Sequence, residues 1–274
     1  MPRDAIEDLE LRLLLEGIYQ RYGYDFREYS RSSIRRRVWR RIAEEGVQSI
    51  SGLQERILHD PSCMDRLLLD LSVSVTSMFR DPTFFVALRE KVIPILRTYP
   101  FVRVWNAGCA SGEETLSLAI LLQEEGVGDR VRIYATDINA DVIERARRLV
   151  FPLERMRSYT ENYIAGGGRA AFSDYYKTFG EVVQFSPALA DNIVFAQHNL
   201  VSDADFNEFH LIVCRNVMIY FDRSLQDKVV GLMHRSLIRF GVLALGQKES
   251  LRFTTYASDF EELDEREKIY RRIR

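Results

Sequence analysis

The sequence predicts an α/β fold, a parallel sheet with helices on both faces, preceded by an all-helical part. Two observations carry this. After about residue 100, short apolar runs alternate with runs of helical period, and a strand–helix–strand rhythm requires parallel strands joined by crossover helices. Before about residue 80, the apolar residues repeat at three and four, the spacing of amphipathic helices. The chain has 274 residues, 46% hydrophobic and 28% charged, enough for a real core in two parts.

The first part holds four helices. Ile6–Tyr22 carries Leu9, Leu11, Leu13, Leu14, Ile18 and Tyr19 near a helical period. Tyr29–Ala43 follows. Ser49–His59 opens on Ser49 or Ser51, both good N-caps. Ser62–Ser72 sets Met64, Leu67, Leu68 and Leu71 on one face. Asp81-Pro82 suits a helix start, and Phe84–Arg97 joins the two parts. Pro94 inside it predicts a kink or an early stop. The expected boundaries are a helical domain over 1–80, a linker helix over 81–99 and an α/β domain over 100–274.

In the α/β part, Val102–Asn106 reads as a strand, Gly112–Glu124 as a helix, Arg130–Thr136 as a strand and Ala140–Val150 as a helix. Asn192–Gln197 and His210–Cys214 read as strands, Ser224–Phe240 as a helix, and Phe240–Gly246 as a strand. Lys268–Arg274 is a candidate final edge strand. The stretch 151–190 breaks the rhythm. It is polar and aromatic, holds Gly166-Gly167-Gly168, and suggests a small hairpin at Phe179-Gly180, as an insertion would.

Composition excludes several classes. Three cysteines far apart (Cys63, Cys109, Cys214) argue against a disulfide framework or a cysteine zinc site. Four histidines, none paired at ligand spacing, argue against a metal enzyme. Charge-free stretches such as 46–54 are far too short to span a bilayer, and Met1-Pro2-Arg3-Asp4 opens no apolar signal core, so a cytoplasmic protein is expected. A net charge of −2 is no nucleic-acid glove.

The most specific stretch is Val102-Arg-Val-Trp-Asn-Ala-Gly-Cys-Ala-Ser-Gly-Glu-Glu114. An apolar strand enters a loop with small residues at 107, 108, 110 and 112, then a helix begins. Such a loop lets a ligand lie against bare backbone at a helix N-terminus. A dinucleotide fingerprint needs glycines at 110 and 113, which are Ala and Glu, and two acids at the helix mouth would repel a pyrophosphate. S-adenosylmethionine has no phosphate and carries an ammonium and a sulfonium, which the same acids attract. The remaining alternative is a packing loop with two acids favoured by the helix dipole. Asp137 ends the second strand. An acid there holds ribose hydroxyls in such folds, or it caps the helix near Ala140, or both.

Further stretches occur in order: Thr76-Ser-Met-Phe-Arg-Asp81, Asn106–Glu114, Ala135-Thr-Asp-Ile138, His198-Asn-Leu200 and Cys214-Arg-Asn-Val-Met-Ile-Tyr-Phe221. From about residue 10 onward, this set closely resembles the CheR-type chemotaxis receptor methyltransferases. The resemblance implies a Rossmann-like S-adenosylmethionine-dependent methyltransferase domain with a small β-subdomain insertion, behind an all-α N-terminal domain. It implies methyl transfer to glutamates of chemoreceptor cytoplasmic helices, giving glutamyl 5-O-methyl esters and S-adenosylhomocysteine. The partner is then the cytoplasmic domain of a methyl-accepting chemoreceptor, with no nucleic acid, membrane insertion or metal, and a monomer is expected. The family's cofactor contacts fall on Thr76, Arg80, Ala107, Gly108, Glu113, Glu114, Asp137, Asn199, Leu200, Arg215 and Asn216. Ser74 stands where the family often has the longer donor Asn. The family commonly reads Gly-His-Ser-Glu where this chain has Gly246-Gln-Lys-Glu-Ser250.

A glutamate carboxylate has an unperturbed pKa of about 4.3, so its transfer needs no general base. It needs alignment and exclusion of water. The resemblance therefore points to Arg80 and Tyr220 as catalytic, orienting groups. The plain alternatives are an ion pair of Arg80 with Asp81 or Glu90, and a packing role for Tyr220. A module of the same fold that binds the cofactor and signals without turnover is the alternative function.

Between residues 27 and 41, seven arginines face one acid, Glu28. Ile34, Val38 and Ile42 would face the core. Arg37 and Arg41 share one face, and Arg36 and Arg40 another. A helix this basic in a near-neutral chain predicts an acidic partner, which makes Arg35, Arg36, Arg37, Arg40 and Arg41 the candidate docking set for Glu-rich receptor helices. Pairing with Glu44, Glu45 and other acids of the chain is the bland alternative.

Overall fold

The computed structural model describes residues 3–71 and 76–274, with the Arg3 side chain left out. The chain divides into two compact units, Met1–Val73 with Tyr220–Lys228, and Ser74–Ile219 with Val229–Arg274.

The first unit contains α1 (Arg3–Tyr22), α2 (Arg31–Glu45), α3 (Ile50–His59) and α4 (Pro61–Leu71). Their apolar stripes meet in a core that includes Leu14, Ile18, Ile34, Val38, Ile50, Leu53, Ile57 and Leu67. Helix α2 stops at Gly46, which is left-handed at φ 68 and returns its N–H to Ala43. Ser49 caps α3 by accepting from the Gly52 N–H at 3.1 Å. The segment Tyr220–Lys228 completes this unit. The Ser30 N–H donates to the Tyr220 carbonyl at 2.8 Å, the Asp222 N–H donates to the Glu28 carbonyl at 3.0 Å, and the Tyr29 and Phe221 rings meet at 4.8 Å.

The second unit opens with one continuous helical run: α5 (Pro82–Ala87), a π-helical turn (Leu88–Val92) and α6 (Ile93–Leu96). The predicted disturbance at Pro94 takes the form of this wide turn. Pro94 has no N–H and its ring crowds the carbonyl four residues back. The Ile93 N–H accordingly bonds five back, to Leu88.

Seven strands then form a sheet in the order β6-β2-β1-β7-β8-β10-β9. They are β1 (Val102–Ala107), β2 (Val131–Asp137), β6 (Ile193–Gln197), β7 (Phe209–Cys214), β8 (Leu237–Leu245), β9 (Phe260–Asp264) and β10 (Ile269–Arg272). The first five in that order are parallel, and β10 and β9 run antiparallel. Helices α7 (Glu113–Glu124), α8 (Ala140–Arg148) and α10 (Arg223–Ser236) follow β1, β2 and β7 in the chain. β1 lies between β2 and β7, so the strand order reverses there, and the crevice beyond the strand C-termini is where such sheets bind ligands. Val104, Leu116, Ile133, Leu211, Val213 and Val242 fill the core.

The insertion is a separate three-stranded antiparallel sheet, order β3-β5-β4, from β3 (Val150–Pro152), β4 (Tyr176–Phe179) and β5 (Val182–Phe185). The hairpin turns at Gly180, left-handed at φ 58. The insertion also contains a helix, α9 (Met156–Ala165), that the sequence reading missed. Glu124, at the end of α7, fastens the insertion. It accepts from the hydroxyls of Tyr163 and Tyr175 and from the Arg169 N–H, and pairs with Arg89.

Three expected boundaries are corrected. The helix expected to reach Phe240 stops at Ser236, because Leu237 already pairs with Phe209 across β7. The helix expected to reach Val150 stops at Arg148, where Leu149 turns left-handed at φ 56. The C-terminal strand is not an edge strand, because β9 lies outside it. Among the described residues, no helix is long and apolar enough to cross a membrane.

Candidate active site

The site begins where β1 ends. The N–H groups of Gly108 and Cys109 both donate to the Thr136 carbonyl, at 2.8 and 2.9 Å, which draws the loop across the end of β2. Gly108, Ala110 and Gly112 are left-handed, at φ 76, 48 and 94. Backbone shape thus accounts for glycine at 108 and 112. Gly112 has a second reason, since a β-carbon there would lie 2.9 Å from that of Ala146. Ala107, the last residue of β1, is buried.

Asp137, at the end of β2, faces this loop. Its Oδ2 accepts from the Ala110 N–H at 3.0 Å and its Oδ1 from the Asn139 N–H at 3.1 Å. Burial pushes its pKa up, against these backbone donors. Capping of α8 falls to Asn139, whose side chain accepts from the N–H groups of Asp141 and Val142. Asp137 is therefore free of that duty, and with backbone donors at Ala110, Asn139 and Ile138 its carboxylate retains a lone pair for a further donor.

The two acids of the α7 first turn are buried and differ in their partners. Glu113 accepts from the Ser111 hydroxyl at 2.6 Å and the Tyr159 hydroxyl at 3.2 Å, with the Arg155 guanidinium 3.5 Å away. Glu114 accepts from Asn106 at 2.8 Å and from Arg215 at 2.6 Å. Arg215 also donates to Asp81 at 2.7 Å and to the Arg80 carbonyl at 3.2 Å, and its guanidinium lies 3.9 Å from the Phe84 ring. Glu114 and Arg215, both expected at the cofactor, thus form a buried tie between the α7 first turn and the turn at residues 79–81. That turn holds Phe79 and Asp81 left-handed, at φ 50 and 55.

Arg80 sits in this held turn, half-buried. Neither alternative partner is taken: among the described residues, its guanidinium pairs with no carboxylate, and Asp81 goes to Arg215. Thr76 is half-buried, and Ser74 lies outside the described residues. Beyond β6, Asn199 turns on itself. Its N–H donates to Asp203 at 2.8 Å and its side-chain oxygen accepts from the Val201 N–H at 3.0 Å. Leu200 beside it is half-buried. Asn216 is left-handed at φ 60, and its N–H is held by Glu249 at 2.9 Å.

Sequence reasoning missed Asn106, Asn139 and Glu249. Each is buried and polar: Asn106 bonds the Glu114 and Thr115 side chains on the following helix, Asn139 and Glu249 bond backbone N–H groups, and periodicity carries no such signal. Among the described residues, no group of three or more His, Cys, Asp or Glu side chains could hold a metal.

Tyr220 is placed in the first unit, its ring 4.5 Å from the Arg37 guanidinium. The five docking arginines separate. Arg37 and Arg41 are turned inward, a correction to the single docking set. Arg37 donates to the Leu71 carbonyl at 3.2 Å, and Arg41 pairs with Asp70 and with Glu45. Arg35, Arg36 and Arg40 are exposed, with Arg35 paired to Glu7 and Arg40 to Glu44.

This donor set fits S-adenosylmethionine. A half-buried carboxylate at Asp137 suits a vicinal diol, the left-handed loop admits close approach to backbone, and the Glu113 carboxylate suits an ammonium. The acids at the mouth of α7 oppose a pyrophosphate. Family models agree with this arrangement. Residues 9–72 match the CheR methyltransferase all-alpha domain, and residues 74–269 match the CheR methyltransferase SAM binding domain. A Pseudomonas putida protein named Cher3 is 47% identical over 273 residues, covering 99% of this chain and 100% of that protein. A chemotaxis protein methyltransferase of Listeria monocytogenes is 30% identical over 232 residues, covering 84% and 85%. That of Escherichia coli K12 is 27% identical over 255 residues, covering 90% and 86%. The domain is a Rossmann-like, S-adenosylmethionine-dependent methyltransferase domain behind an all-α domain, and the chain belongs to the CheR methyltransferase family.

Proposed function

We propose that this protein methylates glutamate side chains in the cytoplasmic helices of a chemoreceptor, giving glutamyl 5-O-methyl esters. The observation that carries the reading is Arg80. Its backbone is clamped by Arg215, whose other arm holds Glu114 of the cofactor loop, while its own guanidinium has no carboxylate partner among the described residues. A guanidinium on a held backbone, with no carboxylate partner among the described residues, is suited to a carboxylate supplied by another molecule. The relatives named as chemotaxis protein methyltransferases support the choice of partner.

When bound, S-adenosylmethionine supplies a methyl group on a positively charged sulfur. Asp137 holds the ribose hydroxyls, and Glu113 attracts the ammonium of the methionine end. Thr76, Ala107, Gly108, Asn199, Leu200 and Asn216 shape the rest of the cofactor site. Glu114 and Arg215 act by fixing the frame. Arg80 orients the substrate carboxylate, which is ionised at neutral pH and needs no proton removed. Opposite charges are lost as the methyl moves, so strong pairing of the carboxylate in the ground state would slow the step. One orienting guanidinium meets this requirement better than an acid–base dyad. The exposed arginines Arg35, Arg36 and Arg40 dock the acidic helix.

The test is transfer from labelled S-adenosylmethionine to a receptor cytoplasmic fragment, scored as methanol released by mild base. Asp137→Ala should raise the Kd for S-adenosylhomocysteine at least about tenfold, the loss of roughly one hydrogen bond to a charged group. Arg80→Ala should lower kcat/KM on the order of a hundredfold. Tight S-adenosylhomocysteine binding without label on any receptor fragment of the organism would favour a signalling module without turnover.

A further inference from the structure

Glu249 is buried, 5% exposed, and meets the residues assigned to the cofactor only at the Asn216 N–H. Four backbone N–H groups converge on its carboxylate. Oε2 accepts from Gly246 at 2.6 Å and Asn216 at 2.9 Å, and Oε1 accepts from Val217 at 3.0 Å and Met218 at 2.7 Å. Burial pushes its pKa up, against these four backbone donors, which favour the charged form. Three consecutive N–H groups, beginning at the left-handed Asn216, make a concave anion-binding nest, and the chain fills it with its own carboxylate.

The held loop presses on the cofactor loop. A β-carbon on Gly108 would lie 2.4 Å from Cγ2 of Val217, so Val217 packs directly against the Gly108 backbone. The turn that carries Glu249 is equally constrained. The Glu249 N–H donates to the Gly246 carbonyl at 2.8 Å, and a β-carbon at 246 would lie 2.7 Å from the Glu249 carboxylate. Within this turn Gln247 and Lys248 are exposed while Glu249 points inward. The departure from Gly-His-Ser-Glu thus falls on the two outward positions and spares the one that works.

We propose that Glu249 is a positioning residue for the cofactor site: by holding the amides of Asn216, Val217 and Met218, it sets Val217 against Gly108 and fixes the loop shape the cofactor meets. The inference rests on the reading that the Gly108 loop and Asn216 hold the cofactor. A side chain that only stabilised the fold would lower the melting temperature and leave ligand affinity intact in the folded variant.

The experiment is calorimetric titration of S-adenosylhomocysteine into full-length Glu249→Ala, Glu249→Gln and Asp137→Ala, at a temperature where circular dichroism shows each folded. Glu249→Ala should weaken binding at least about tenfold, equivalent to roughly 1.4 kcal/mol. Added formate, a small carboxylate able to enter the vacated nest, should restore part of it, and chloride at equal ionic strength should not. Glu249→Gln should be weakened without rescue, because its amide fills the nest and sets an N–H donor against N–H donors. If Glu249→Ala does not fold, Glu249→Asp, which withdraws the charge by one methylene, should also bind more weakly. Unchanged affinity in the folded Glu249 variants, with affinity lost in Asp137→Ala, would overturn the inference alone. So would a weakened Glu249→Ala that formate leaves weak. Wild-type affinity in Asp137→Ala would overturn the site reading, and the inference with it.

Discussion

A side chain at position 108 meets two separate obstacles. The backbone is left-handed at φ 76, and the space a β-carbon needs is held by Val217 at 2.4 Å. Gly108→Ala should therefore cost about 2–4 kcal/mol of stability and most of the affinity for S-adenosylhomocysteine, the sum of a left-handed penalty and overpacking. Adding Val217→Ala relieves only the packing part. Thermal melts and calorimetry on the double variant should show partial recovery, and no recovery would mean that backbone shape alone makes glycine necessary. The small residues of this loop were legible in the sequence because they cluster within six positions and follow an apolar strand. Glu249 was not, because a carboxylate paired with backbone amides leaves no complementary side chain to find. Arg215 was legible as important, but its direction was not: the sequence cannot show that its guanidinium lies between Glu114 and Asp81.

At the level of elements, the end of α2 shows how the arginine-rich sequence is used. Glu45 lies in the last turn, where a negative charge opposes the helix dipole. The Arg66 guanidinium, hydrogen-bonded to it from α4 at 2.6 Å, with Arg41 nearby, holds its pKa down at about 2 despite burial. A carboxyl whose pKa is depressed on folding contributes stability above its unfolded value, and that contribution disappears as pH falls through the folded value. The stability difference between wild type and Glu45→Gln should be about 1–3 kcal/mol at pH 7. It should shrink between about pH 4.5 and pH 2, as followed by thermal melts across that range. A difference constant down to pH 2 would place the Glu45 contribution in packing. The same pairing explains why charge counting overstated the docking face, since Arg37 and Arg41 satisfy carbonyls and acids within the unit. Elements whose apolar residues repeat regularly were legible, such as α3, α4 and β7. Strand β9 was not: Phe-Glu-Glu-Leu-Asp is a charged edge strand, and charge there keeps an edge from pairing with other chains. Helix α9 was hidden because its buried Met156, Tyr159 and Tyr163 are spaced among polar residues in a stretch rich in turn signals.

Over the whole molecule, sequence order and compact units do not coincide. The helical unit takes in Tyr220–Lys228, almost 150 residues beyond Val73. That segment supplies a ring against Tyr29, an aromatic face for Arg37 and two backbone hydrogen bonds at Glu28 and Ser30. A fragment ending at Val73 keeps all four helices and loses these contacts. Burial of a Phe221-sized side chain alone is worth about 2 kcal/mol, which in a domain of this size corresponds to roughly 10 °C in Tm. Residues 1–73 alone should therefore melt at least roughly 10 °C below a single chain in which a flexible linker rejoins residues 220–228 to the fragment, with both followed by far-UV circular dichroism. Equal melting temperatures would show that the segment rests on a helical unit already complete. A lower one would mean that the Cys214–Phe221 stretch, so specific in sequence, serves two units at once. Its first residues would order the cofactor loop through Glu249, and its last would finish the helical core, which accounts for a long unbroken motif where either task alone needs only half of it.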